Sequence, residues 1–426
     1  MNRIATLIAS GLFALGAQFV HAQNWTTIPS PVATNLILYG IDFPADQDDI
    51  GYAGGSSVTY NGKGTILKTL DQGDTWNVIW SSTVNGTGVC SMYFLNVDTG
   101  FVGTQGGAVM RTTDGGANWT SVDLDTNNDQ GDVHDVTFRD ADHGVVVTAY
   151  NGVYRTVDGG ATWVPATTNP AVGQFEVCYA GGSTLFSCGN NQSIYKSVDD
   201  GDTWTSSYQG LFQTVSLGIH FLDANNGMVT SEEGMYFKTT NGGATWTAGT
   251  ILNQFGLMRG VVMLDANNIF VCATPGQVFR TVDGGANWTD DSGVNPNPSY
   301  YDITFTPNGT GFVSGSGATG GTILKRSPLS TAVEDREVPF HSVMVYPNPV
   351  AEVLTVECAT EVSGPVDVRL INGLGALVMT KQVASTADGR MLTQLDVSQV
   401  APGLYTIDLV GRGGVRVSRH ISVVGR

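Results

Sequence analysis

Six copies of one nine-residue phrase punctuate this chain: KTLDQGDTW (68–76), RTTDGGANW (111–119), RTVDGGATW (155–163), KSVDDGDTW (196–204), KTTNGGATW (238–246) and RTVDGGANW (280–288). Their acidic or amide residues, Asp71, Asp114, Asp158, Asp199, Asn241 and Asp283, recur every 41 to 44 residues. A period near 42 means that one supersecondary unit has been copied along most of the chain, so the repeat fixes the architecture before any chemistry is considered. The third unit shows its content: VHDVTF (133–138), VVVTA (145–149), VYRTV (153–157) and TWVPA (162–166), separated by DADHG, NG and the phrase itself. Four short alternating segments with Gly, Asn and Asp between them predict four strands, the content of a β-propeller blade.

Six phrases are complete, and the seventh unit is split. YDITF, GFVSG and TILKRS (301–327) supply three strands, with Lys325 in register with the earlier basic residues, but no Asp or Trp follows. Asn24-Trp25-Thr26 repeats the NWT of residues 118–120 and 287–289. The expectation is an all-β chain: a seven-bladed propeller over residues 23–328, closed by the N-terminal strand so that no sheet edge is left open. Residues 329–341, with Pro, Ser and mixed charge, read as a linker, and the seven alternating segments of 342–426 as a small β-sandwich.

Composition narrows the partners. The net charge is −18, and nearly all of it lies in the repeats, where 31 acidic face 12 basic side chains over residues 23–338. Nucleic acid is excluded as an expected partner, because phosphate binding needs a basic face. Asn2-Arg3, the apolar run 4–20 and Val20-His21-Ala22 have the form of a signal peptide over residues 1–22, cut before Gln23. No other stretch approaches membrane-spanning length. The five cysteines, an odd number at irregular spacing, imply no disulfide framework. Cys178 and Cys188 read as small buried hydrophobes, with a bond across a hairpin as the alternative.

Within the phrase, Asp or Asn is expected to accept backbone N–H groups of the turn and Gly to supply its left-handed step. The following Thr or Asn is expected to bond the turn backbone. Trp76, Trp119, Trp163, Trp204, Trp246 and Trp288 are expected to return into the sheets and fill space between blades. The phrase resembles the Asp-box, or bacterial neuraminidase repeat, of sialidases, xyloglucanases, the sortilin ectodomain and the photosystem II assembly factors. That resemblance implies a propeller and places the boxes between third and fourth strands, away from the functional face. A calcium or catalytic role for the six acidic positions is not expected; no catalytic residue, metal or cofactor is assigned.

The opposite face carries loops that differ in every unit, among them 123–132, 165–174 and 290–301, rich in amides and aromatics. Counting 24 residues back from a box reaches His134, Phe175 and Arg259, with Asp135, Glu176, His220 and Tyr301 added as neighbours. These read first as rim residues or groups bonded to nearby backbone, with a ligand site for glycan or protein as the alternative. The arginine cluster of sialidases is missing, since outside the boxes the propeller has Arg139, Arg259 and Arg326.

YPNP (Tyr346, Pro347, Asn348, Pro349), the Gly403-Leu-Tyr405 triplet and a last basic-apolar segment from Arg419 resemble the type A sorting domain of the type IX (Por) secretion system of Bacteroidetes. Arg419 stands where that family usually has Lys. The resemblance implies export through the periplasm, recognition by the type IX translocon and removal of the domain by a sortase-like peptidase. Together these readings give a secreted or cell-surface binding or adhesion protein. An extracellular glycoside hydrolase or polysaccharide lyase is the alternative, and a membrane-protein assembly factor the third.

Overall fold

The computed structural model describes residues 25–328, apart from 32–34, 58–61, 125–130, 151, 211–212, 252–255, 293–298 and 318–319. It also describes residues 340–424, apart from 349, 361–364, 373–376, 385–389 and 411–415. The signal peptide, nearly all of the linker and Pro349 lie outside the described residues. The chain divides into two units, residues 1–329 and 330–426.

The first unit is a propeller-like array of seven four-stranded antiparallel sheets among the described residues. Their first strands are Leu36–Asp42, Val89–Phe94, Val133–Phe138, Gln174–Gly181, Ser216–Phe221, Leu257–Met263 and Ser299–Phe305. Each first strand packs on that of the next sheet, and the seventh packs on the first. Second strands such as Gly100–Thr104, Gly144–Thr148 and Gly227–Ser231 are buried at every position, because neighbouring sheets cover both faces; hence their lack of charged residues. Fourth strands such as Asn77–Ser81 and Thr120–Asp123 lie outermost and are mostly exposed.

Six sheets are built from consecutive strands. The seventh takes its fourth strand from the other end of the unit: Trp25–Ile28 pairs antiparallel with Gly320–Arg326, Trp25 opposite Arg326. Trp25 is buried, and its Nε1 donates to Asp291 Oδ2 at 3.0 Å, the same carboxylate that faces Arg326 Nε at 3.3 Å. First and seventh sheets also meet through the stacked rings of Phe43 and Phe312, 4.4 Å between centroids, and through Lys325 Nζ on Asp74 Oδ1 at 2.6 Å.

The boxes lie between third and fourth strands. In the first, Asp71 Oδ1 accepts the Thr75 N–H at 2.9 Å and the Thr69 hydroxyl at 2.8 Å. Asp71 Oδ2 accepts the Thr75 hydroxyl at 2.6 Å. The downstream Thr or Asn therefore bonds the carboxylate, not the turn backbone, correcting the sequence expectation. The upstream Thr takes the backbone role, Thr69 Oγ1 accepting the Gly73 N–H at 2.9 Å, because two left-handed residues, Gln72 and Gly73, turn that N–H inward. The lysine opening three of the phrases has a task that its position in sequence hides. Lys68, Lys196 and Lys238 donate to the carbonyls of Gly115, Gly242 and Gly284, one box further on, so successive boxes are tied together. The Trp rings stand at the junctions: Trp163 meets Phe138 edge-on, and Phe138 stacks at 3.8 Å on Phe101 of the preceding sheet.

Seven strands form the second unit, three in one sheet and four in the other. One core joins the sheets, with Leu354, Val356 and Met391 from the first and Val366, Leu370 and Ile407 from the second. Its first strand, Phe340–Tyr346, begins inside the stretch that composition assigns to the linker. Tyr346, Pro347, Asn348, Gly403 and Arg419 are exposed, and Asn348 Oδ1 accepts the Ser422 N–H at 2.9 Å, fixing the motif to the last strand. Tyr405 is buried, its hydroxyl donating to Ala401 O at 2.7 Å.

All five cysteines are free. Cys178 lies opposite Phe186 and Cys188 opposite Glu176, so the two thiols sit diagonally across their hairpin and the bonded alternative is not realised.

Candidate functional site

Every first strand of the propeller-like unit carries a β-bulge at the same height. The register slips between Leu38 and Gly40, Val89 and Ser91, Val133 and Asp135, and Gln174 and Glu176. It slips again between Ser216 and Gly218, Met258 and Val261, and Tyr300 and Asp302. A bulge inserts one unpaired residue and re-aims its side chain. The residues so released are Tyr39, Cys90, His134, Phe175, Leu217, Arg259 and Tyr301, and all seven line a single cavity of about 280 Å³. Gln105, from a second-to-third strand turn, and Asp132, from a fourth-to-first connection, place the cavity mouth on the loop face, opposite the boxes.

Two aromatic pairs wall the cavity. His134 stacks on Phe175 at 4.5 Å with 13° between planes, and Tyr39 meets Tyr301 edge-on at 4.9 Å. Arg259 lies over the Tyr301 ring, 4.6 Å from its centroid. Nδ1 of His134 is 3.0 Å from Gln174 O in the next sheet, and burial holds the imidazole pKa below its usual value, so the ring is neutral.

The residue after each bulge faces deeper. In the fifth sheet it is Gly218, where an added Cβ would lie 1.9 Å from Arg259 O, so only glycine admits the neighbouring strand. In three sheets it is an acid that reaches across to the next first strand. Asp135 accepts the Val136 N–H at 2.8 Å and the Val177 N–H at 2.9 Å. Glu176 accepts the Ile219 N–H at 2.6 Å. Asp302 accepts the Ile303 and Ile41 N–H groups at 2.7 and 3.0 Å. One layer further in, Asp42 accepts the Phe94 N–H at 2.6 Å.

Asp135, Glu176 and Asp302 line the cavity, and all four acids are half-buried. Burial accordingly pushes the Asp42 carboxyl up to about 7 and that of Asp302 to about 6, against the lowering effect of their backbone N–H donors. Burial also raises Asp135 and Glu176, helped at Asp135 by the charges of Asp302 and Asp42 and at Glu176 by those of Asp135 and Asp302. At neutral pH Asp302 is therefore mostly ionised and Asp42 divided between its two forms, and the backbone donors give these acids a structural role.

Of the seven residues singled out from sequence, the structure brings His134, Asp135, Phe175, Glu176, Arg259 and Tyr301 to one cavity. His220 is not brought there. It lies three residues past the bulged Leu217, and its Nδ1 accepts the Met263 N–H at 3.4 Å; burial lowers its pKa to about 4, leaving it neutral. Cys90 and Leu217 were missed, although both stand 24 residues before a box. Tyr39 stands 32 before its box and escapes that count.

Comparison with known proteins agrees with both halves of this description. Residues 17–175 match the family described as photosynthesis system II assembly factor YCF48, and residues 344–423 match the secretion system C-terminal sorting domain. YCF48 from Cyanidioschyzon merolae superimposes with a TM-score of 0.57 at 21% identity, covering 71% of this chain and 98% of that one. A streptogramin B lyase superimposes with a TM-score of 0.59 at 13% identity over 71% of this chain and 97% of its own, a likeness of fold alone. No curated protein matches. Among the described residues no helix is long and apolar enough to cross a membrane. The chain thus pairs a β-propeller-like unit, similar to YCF48 over residues 17–175, with a C-terminal sorting domain of the kind that directs export through the type IX secretion system to the cell surface or beyond.

Proposed function

We propose that the mature protein is a non-catalytic binding or adhesion protein, and that its seven sheets form a closed seven-bladed propeller over residues 23–328, followed by a linker (329–341) and the sorting domain (342–426). The closed ring is supported by the borrowed strand Trp25–Ile28 and by the Asp302 to Ile41 bond between seventh and first sheets. The binding role rests on one observation: seven bulged side chains converge on a cavity open to the variable loops, while the carboxyls below them are occupied by backbone N–H groups. A general acid or nucleophile needs a free oxygen aimed at substrate, and Asp135 and Asp302 have both oxygens engaged.

Glycan and protein are the ligand classes that suit a polar, aromatic face. A structure of YCF48 bound to D1 peptide shares the fold, which favours a peptide as readily as a sugar. A hydrolase reading draws on the raised carboxyls of Asp135 and Glu176 at the same cavity. Glycan- and peptide-array binding, run beside a polysaccharide hydrolysis screen on the mature protein, separates the two. Saturable binding without turnover is expected, and turnover of any polysaccharide would overturn this reading. Copurification with an outer-membrane partner in place of array binding would favour an assembly factor.

A further inference from the structure

Most charges around the axial cavity are already spoken for, and two are not. The Arg259 guanidinium makes no hydrogen bond or ion pair with protein among the described residues; its Nε is buried without a partner, and the group rests on Tyr301. The Asp132 carboxylate, at the cavity mouth on the third sheet, accepts no hydrogen bond among the described residues, its only hydrogen-bonded atom being the backbone oxygen that takes the Ala149 N–H. An arginine has five donors in a planar fork, and leaving them unmatched in a half-buried site is costly unless a ligand supplies the acceptor.

Each charge excludes a ligand that carries only the opposite of the other. A simple anion satisfying Arg259 would meet the Asp132 carboxylate and approach a strongly acidic repeat domain. A simple cation satisfying Asp132 would meet Arg259. The deeper acids are engaged by backbone N–H groups, Asp135 and Asp302 through both oxygens and Glu176 through one. The Phe175 and Tyr301 rings and Leu217 line the same cavity, whose volume of about 280 Å³ admits one small molecule.

We propose that this cavity binds a small zwitterion, a free amino acid with an apolar side chain, whose carboxylate pairs with Arg259 and whose ammonium pairs with Asp132. The proposal deepens the binding role above and rests on it. Three features recognise the ligand: the guanidinium grips the carboxylate through two parallel N–H bonds, the mouth carboxylate accepts from the ammonium, and the rings cover the side chain.

The probes are L-phenylalanine and L-leucine, with their N-acetyl and C-amide derivatives, titrated into the full mature protein by calorimetry or ligand-observed NMR. The free amino acids are expected to bind, and each derivative to bind at least about tenfold more weakly, since each removes one charge-assisted contact. Arg259→Gln and Asp132→Asn are expected to weaken the free amino acid by a similar factor. Arg259→Gln should in addition abolish the discrimination against the amide, and Asp132→Asn that against the acetyl derivative. Derivatives that bind as well as their parents overturn the proposal without recourse to any variant. Absence of amino-acid binding at about 10 mM, a Kd ceiling for the weakest useful contact, also overturns it. If array binding persists in that case, the general binding role stands and only the zwitterion falls.

Discussion

Oδ2 of Asp302, in the seventh sheet, accepts the backbone N–H of Ile41, in the first, at 3.0 Å, joining strands 261 residues apart. Its other oxygen holds the Ile303 N–H at 2.7 Å. Replacing Asp302 by Ala leaves two half-buried backbone donors without this acceptor, at a cost of about 1–3 kcal/mol. Asp302→Asn keeps one acceptor and is expected to cost less. Chemical denaturation of the two variants checks the order, and equal stabilities would mean that this bond does not hold the junction.

The same buried carboxyls set the pH dependence. Asp302 and Asp42 are raised to about 6 and about 7, so the folded state keeps protons that the unfolded chain releases near pH 4. Their contribution to stability is complete below about pH 4 and is lost as pH rises through about 6 to 7. Asp158 and Asp283 of the boxes behave oppositely. Hydrogen bonds from Thr162 and Asn287 hold them down at about 2, so their contribution is lost as pH falls through that value. Calorimetric melting temperature is expected to peak at about pH 4 to 5 and to decline toward pH 8. A steady rise from about pH 5 to pH 8 would contradict the assignment.

The fifth box already contains a natural test of its acid. Asn241 Oδ1 accepts the Thr245 N–H at 3.0 Å, and its Nδ2 donates to the Thr245 hydroxyl at 2.9 Å, reproducing the Asp pattern without charge. Asp199→Asn should therefore be nearly neutral. Asp199→Ala, which removes the acceptors for Ser197 and Thr203, should cost about 1 kcal/mol, as loss of a cap does. Equal losses for Asn and Ala would show that charge, not hydrogen-bond geometry, matters there.

Trp25 anchors the borrowed strand. Trp25→Ala removes a fully buried indole and leaves Asp291 without its Nε1 donor, an expected loss of about 3–5 kcal/mol. Limited proteolysis should then release the N-terminal segment before the rest of the domain melts. A variant as protease-resistant as the parent would mean that the strand is held by its backbone pairing alone.

Much of this was legible in the sequence because it is local. Blade content follows from two-residue alternation, and box chemistry from residues within nine positions of each other; even the borrowed strand announced itself through the NWT of residues 24–26. The cavity was half legible. A constant offset of 24 finds Cys90, His134, Phe175, Leu217 and Arg259 and passes over His220, which stands 21 before its box, but it cannot find Tyr39, whose repeat is longer. Bulges leave no mark in composition, and one extra residue decides which side chain faces the axis.

By itself the sequence determined the repeat, the turn chemistry of the boxes, the acidic balance and the address carried by the sorting domain. Tertiary structure alone decided that seven bulged residues from strands spread over more than 260 positions meet in one place. It also decided that Asp42, Asp135, Glu176 and Asp302 bond the backbone of the next sheet, and that Arg259 and Asp132 remain unspent. The physical reason is that desolvation and convergence are sums over neighbours distant in the chain, whereas a turn or an alternating strand is specified by the residues beside it.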